Sequence, residues 1–307
     1  MDSDFLKDLI QKLNLEQYES NEKKLTSKEA ELIVTLGHAF EKGILFPQSY
    51  KDAFYLYSLA ASVNDSVSIN NLGWLYLNGY GVNEDVYKAE ELFLKAAKLG
   101  NSIAMVNLGN IYENGLGIID INYEKSIQWY IKAANCGNLT GVFNYANMLH
   151  YGYGVKQNRK KAFEIFKRLA DLKYDDSYFY LGLYYQEGYV VEKNYNLSLK
   201  YYKRGAAKKD FYCIHQLGVM YAKGLGVEMD MRKALRYYKK SASLGDKLSC
   251  TCIGWCYENG QGVKRNIKTA LKWYEEAAKS GEKNAIDTLR RINLLSEDKL
   301  LSKFIFH

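Results

Sequence analysis

Seven times along the 307-residue chain a Leu-Gly-like pair recurs at nearly constant spacing. The pairs are Leu36-Gly37, Leu72-Gly73, Leu108-Gly109, Tyr145-Ala146, Leu181-Gly182, Leu217-Gly218 and Ile253-Gly254, in steps of 36, 36, 37, 36, 36 and 36. A second glycine stands seven residues after each pair begins, at Gly43, Gly79, Gly115, Gly152, Gly188, Gly224 and Gly260. A unit of this length is one helix-turn-helix, too small to bury its apolar face alone, so neighbours must stack.

The same register holds elsewhere. Four residues after each pair begins comes an aromatic, at Phe40, Tyr76, Tyr112, Tyr185, Tyr221 and Tyr257, with Leu149 the exception. These positions and the pair lie on one face at helical spacing, and the glycine of the pair lets a second helix come close. That second helix begins at Ser49, Asp85, Asn122, Asn158, Asn194, Asp230 and Asn266, residue types that cap the free N–H groups of a first turn. It carries large apolar pairs such as Trp129-Tyr130, Tyr201-Tyr202 and Trp273-Tyr274. It ends at Asn64, Gly100, Gly137, Gly245 or Gly281, which tolerate a left-handed conformation; Lys173 and Lys209 break this pattern.

Between the helices lies Gly-x-Gly-Val, as in Gly79-Tyr80-Gly81-Val82 and Gly152-Tyr153-Gly154-Val155. A phosphate-binding loop follows a strand and occurs once, whereas this segment recurs between helices and reads as a turn. The full pattern, Leu-Gly-x-x-Tyr-x-x-Gly-x-Gly-Val and then Lys-Ala-x-x-Trp-Tyr-x-x-Ala-Ala-x-x-Gly, resembles the Sel-1-like repeats, relatives of the tetratricopeptide repeats. The resemblance implies an all-α fold, an α/α superhelix or solenoid of helix pairs, that binds proteins or peptides as an adaptor and has no catalytic activity. It divides the chain into a capping segment 1–27, seven repeats over 28–281, and a capping helix with tail over 282–307. Departures are Tyr145-Ala146, a one-residue insertion near Ile119-Asp120, and Leu45 and Val190 in place of the second loop glycine. Arg290 stands where an eighth pair would need glycine, which marks the end of the stack.

Composition agrees with a helical array. Hydrophobic residues make up 48% and there is a single proline, Pro47. No apolar run reaches the roughly 18 residues of a membrane span, and the N-terminus lacks the basic-then-apolar order of an export signal. The expected place is therefore the cytoplasm, with delivery into another cell by a specialised secretion system as the variant reading. The five cysteines do not pair once per repeat, so no disulfide ladder is expected. Cys252 and Cys256, four apart on one helix, have no histidine in register to complete a metal site. The four histidines are scattered, so neither catalytic residues nor a cofactor or metal are expected. The net charge of +7 resides mostly on the second helices. It reads as a solvated face rather than a nucleic-acid site, with an acidic protein as the alternative ligand.

Function then falls to the first helices, expected to line a concave face. Positions pointing away from the buried stripe select Asn70, Trp74, Leu77, Asn110, Glu113, Phe143, Asn147, His150, Tyr151, Phe179, Leu183, Gln186, His215, Val219, Lys223 and Trp255. Aromatic groups beside asparagine amides suit a protein or extended peptide. The expected protein is a monomeric scaffold or adaptor without nucleic-acid or membrane partners. The alternative is a single-target conflict protein, either an immunity protein masking a toxin or a secreted effector engaging a host protein.

Overall fold

The computed structural model describes residues 25–116 and 119–292. The described residues are helical, with no strand. The helices are α1 (Ser27–Lys42), α2 (Tyr50–Ala61), α3 (Ser66–Asn78), α4 (Val86–Lys98), α5 (Ser102–Asn114), α6 (Tyr123–Asn135), α7 (Leu139–Tyr151), α8 (Arg159–Asp171), α9 (Ser177–Glu187), α10 (Tyr195–Ala207), α11 (Phe211–Lys223), α12 (Met231–Ala242), α13 (Lys247–Asn259) and α14 (Ile267–Ala278). A further helical stretch covers 283–292. Two compact units divide between Asn158 and Arg159, so α1–α7 belong to one and α8–α14 to the other.

Helices pair because a glycine on one faces an aromatic ring on the next. A Cβ on Gly37, Gly109, Gly182, Gly218 or Gly254 would stand 2.5, 2.3, 2.3, 2.6 or 2.7 Å from the ring of Tyr57, Tyr130, Tyr202, Tyr238 or Tyr274. On Gly73 it would meet Phe93 at 2.8 Å. No carbon can occupy that space, and each of these rings is buried. The small residues in register, Ala53, Ala89, Ser126, Ala162, Ser198, Ala234 and Ala270, are completely buried.

Six of the expected second-helix caps accept a bond from the backbone N–H three residues on: Ser49, Asp85, Asn122, Asn194, Asp230 and Asn266. The first helices are capped too, by Thr26, Asp65, Asn101, Asn138, Asp210 and Asp246. Two of those caps also tie a repeat to the one before it. The Asn101 amide donates to the Ser66 carbonyl at 3.0 Å, and the Asn138 amide donates to Ser102 Oγ at 3.1 Å.

The loops clasp neighbours as well. Tyr80 stacks on Tyr50, which opens α2 of the preceding repeat, at 4.5 Å between centroids, and Tyr153 stacks on Tyr123 at 4.7 Å. The next residue, Gly81 or Gly154, presses on the same backbone, where a Cβ would lie 2.7 or 2.3 Å away. Leu45 occupies this position in the first repeat with φ of 68° and is 90% exposed. Among the described residues no earlier second helix stands against it, so its side chain has room. Val190 avoids the left-handed region altogether, and there the Arg159 guanidinium lies 4.1 Å over the neighbouring Tyr189 ring.

Lys173 and Lys209 adopt φ of 60° and 64°, the same left-handed turn that glycine makes at Gly100 and Gly137. The turn is thus imposed by the repeat even where the residue resists it.

Candidate protein-binding face

Two pairs of successive first helices touch: α5 meets α7, and α9 meets α11. The second helices make no comparably extensive contact with one another. The first-helix layer forms one face of each unit.

In the first unit this face is polar. The Asn107 amide donates to Asn70 Oδ1 at 3.0 Å, Asn70 donates to Asn71 Oδ1 at 3.2 Å, and Asn71 Nδ2 lies 3.3 Å from His38 Nε2. The opposite ring nitrogen of His38 is 3.1 Å from the Tyr57 hydroxyl. The asparagines thus link repeats to each other, and Asn70 is buried in doing so. Trp74 lies half-buried against Tyr80, with the Lys42 ammonium 5.7 Å from its ring.

Two residues after each pair begins, where the first unit has His38, Trp74, Asn110 and Asn147, the second has Leu183, Val219 and Trp255. Trp255 is 48% exposed. Beside it opens a pocket of about 250 Å³ lined by Ala222, Met231, Tyr238, Thr251, Cys252 and Trp255, almost wholly apolar. Phe179 is half-buried in an aromatic cluster with Tyr180, Tyr202 and Tyr212.

In three repeats the residue five after the pair begins is the polar partner of the buried ring. Tyr57 donates to Glu41 at 2.8 Å, Tyr130 to Glu113 at 2.5 Å and to Asn110 at 2.7 Å, and Tyr274 to Glu258 at 2.7 Å. Burial, reinforced by the adjoining carboxylate, pushes all three phenols far above their ordinary range. Where the ring is Phe93, which has no hydroxyl, the partner position holds Leu77, and both pack into one apolar cluster. In the fifth repeat the pair is Tyr202 and Gln186, and neither Tyr202 Oη nor Gln186 Oε1 accepts or donates a hydrogen bond of ordinary geometry among the described residues.

A glycine against a buried ring, a left-handed turn and a clasping loop, repeated at this spacing, define one repeat type. The profile of the Sel1 repeat matches residues 36–65, 66–101, 102–138, 141–174, 175–210, 212–246 and 250–282. The chain belongs to the Sel1 repeat family. It is 30% identical to a Sel1 repeat protein from Oxalobacter formigenes, with a TM-score of 0.72, over 80% of this chain and 96% of that one. It is 27% identical to c5321, a protective antigen of uropathogenic Escherichia coli with the same repeat fold. That match has a TM-score of 0.65 and covers 88% of this chain but only 57% of the longer antigen. Yeast Tom70, 14% identical with a TM-score of 0.53 over 98% of this chain and 62% of that one, shares the fold alone. No curated protein matches the chain. Sel1 repeat proteins generally act as protein–protein interaction scaffolds.

Placed on this Sel1 array, the residues selected from sequence separate into three groups. Tyr151, Lys223 and Trp255 are exposed. Trp74, Leu77, Asn110, Glu113, Phe143, Asn147, Phe179, Leu183, His215 and Val219 are half-buried, while Asn70, His150 and Gln186 are buried and offer almost no surface. Asn70 is covered through its bond from Asn107 of the next repeat, whereas His150 and Gln186 hold the position of Glu41 and Glu113, five residues after the pair begins.

His215 Nδ1 lies 2.9 Å from Ser249 Oγ and 3.0 Å from Asp246 Oδ2. Serine and aspartate share one ring nitrogen, so the arrangement cannot pass a proton from one side of the imidazole to the other as a catalytic relay does. It is a joint between α11 and α13. Burial alone would raise the Asp246 carboxyl, but hydrogen bonds from His215, Ser249 and Ser241, with the charge on His215, bring it down to about 2.

No group of three or more His, Cys, Asp or Glu suited to a metal ion occurs among the described residues. Burial pushes the Cys252 thiol up to about 12 and Cys256 up to about 11, which keeps both protonated at neutral pH. No helix among the described residues is long and apolar enough to cross a membrane. The capping segment up to residue 24 and the tail from residue 293, including Phe304-Ile305-Phe306-His307, lie outside the described residues.

Proposed function

We propose that this Sel1 repeat protein is a scaffold that holds a protein or peptide partner on the first-helix face, with Trp255 as an anchor of the second unit. The exposed Trp255 beside an apolar pocket carries the reading. A tryptophan left half in water at the edge of such a pocket forgoes burial free energy that only a partner recovers, and such residues dominate protein interfaces. Leu183 and Val219 continue the apolar register on preceding repeats. The polar ladder around Asn70 and Asn107 belongs to the stack and contributes rigidity rather than contact surface.

Trp255→Ala is the cleanest test, because the side chain is exposed and has no ring partner among the described residues. A partner captured from source lysate and then purified should lose about 2 kcal/mol of binding free energy, with helicity and melting temperature unchanged. Undiminished affinity of the variant would remove Trp255 from the interface. Trp74→Ala and Phe179→Ala are poorer probes, since both rings pack against other aromatics and their loss weakens the repeats.

A further inference from the structure

On the opposite side of the helix pair α11–α12 lies a second pocket, of about 310 Å³, lined by Tyr221, Lys233, Arg236, Tyr237 and Lys240. Its aromatic floor is structural. Tyr221 and Tyr237 stack at 5.5 Å with 10° between the ring planes, as Tyr185 and Tyr201 do one repeat earlier at 5.7 Å and 4°. Each of the three cationic positions is basic in several repeats, as at Lys88, Lys200 and Lys132, and what sets the sixth repeat apart is that all three are basic at once.

The position of Arg236 is held by Glu91, Gln128 and Glu164 in repeats two to four, and the position of Lys233 is Leu197 in the fifth and Thr269 in the seventh. The position of Lys240 is Glu276 in the seventh. Where carboxylates occur they neutralise their neighbours, as Lys88 with Glu91 at 2.8 Å and Lys247 with Glu276 at 2.8 Å show. The sixth repeat alone has all three positions cationic. They lie three, four and seven residues apart on one helix, where like charges repel and cost stability. Lys233 is offset by Asp230 at 3.5 Å, and its ammonium lies 5.4 Å over the Tyr221 ring. No carboxylate among the described residues pairs with Arg236 or Lys240.

We propose that this pocket is a binding site for a phosphoryl group. The two uncompensated cations match the charge of a phosphoryl dianion. Arg236 offers the planar fork that binds phosphate through two hydrogen bonds, Lys240 and Lys233 add point charges, and the tyrosine faces supply an apolar wall. The volume sits at the lower end of small-molecule sites, which run from about 300 to 1,000 Å³. It admits the phosphoryl group with the end of its carrier, either a phosphorylated side chain of a protein or a small phosphate ester.

Calorimetric titration of the full chain with inorganic phosphate, adenosine monophosphate, a phosphotyrosine peptide and the same peptide unphosphorylated tests the site. The phosphorylated probes should bind and the unphosphorylated peptide should not; whichever of peptide and nucleotide binds tighter identifies the carrier. Arg236→Gln should weaken binding by about tenfold or more. Lys200→Gln, at the same register one repeat earlier, should leave it unchanged, and circular dichroism should show all variants folded, since the replaced side chains are exposed. Equal weakening by Lys200→Gln would reveal mere attraction to a basic surface and overturn the site. So would the same affinity for the phosphorylated and unphosphorylated peptide.

Discussion

Tyr130 and Tyr202 hold the same place in two repeats, yet only one has a carboxylate to receive its hydroxyl. Tyr130 donates to Glu113, whereas no carboxylate among the described residues accepts from Tyr202. A hydrogen bond to a charged acceptor contributes about 1.5–3 kcal/mol, so Tyr130→Phe should destabilise by an amount in that range. Tyr202→Phe should cost less or be neutral, because no carboxylate receives that hydroxyl. Denaturant unfolding of the two variants side by side checks this, and equal losses would show that the hydroxyls are interchangeable. The pattern was legible in the sequence. Glu41, Glu113 and Glu258 accompany tyrosine, and Leu77 accompanies Phe93. It goes unread as long as those positions are taken only as surface, which is why Glu113 and Gln186 stand among the expected contact residues.

At the scale of the element, the helix pair is set by volume. Six glycines leave no space for a methyl group against the ring opposite. Gly218→Ala, whose Cβ would stand 2.6 Å from the Tyr238 ring, should cost about 1–3 kcal/mol through overpacking. Its local character is measurable as lost hydrogen-exchange protection in α11 and α12; an unchanged exchange pattern would mean that the pair can open without cost. The second-helix caps were legible because each follows a loop. The first-helix caps were not, since Asp65, Asn101, Asn138, Asp210 and Asp246 come directly after the left-handed residue that ends the preceding helix. One residue ends a helix and its neighbour begins the next, and the two signals merge.

For the whole molecule, stability resides in the joints between repeats, because each repeat touches only its neighbours. The joint of His215, Ser241, Asp246 and Ser249 carries an acid signature. Asp246 has its carboxyl lowered to about 2 in the folded protein, against about 3.9 in an unfolded chain. A depressed carboxyl contributes fully above the unfolded value and loses its contribution as pH falls through the folded one. The contribution is about 2 kcal/mol, so Asp246→Asn should be less stable than the parent at pH 6 and equal to it near pH 2. A gap that persists at pH 2 would assign the effect to packing. The sequence by itself determined the repeat, its helices and their punctuation, since these rest on local periodicity, caps and glycines. Tertiary stacking alone decided which first-helix positions remain exposed. Packing of helix on helix covered Asn70, His150 and Gln186 and left Trp255 in water, because exposure depends on how closely other helices approach, and a single helix carries no record of that distance.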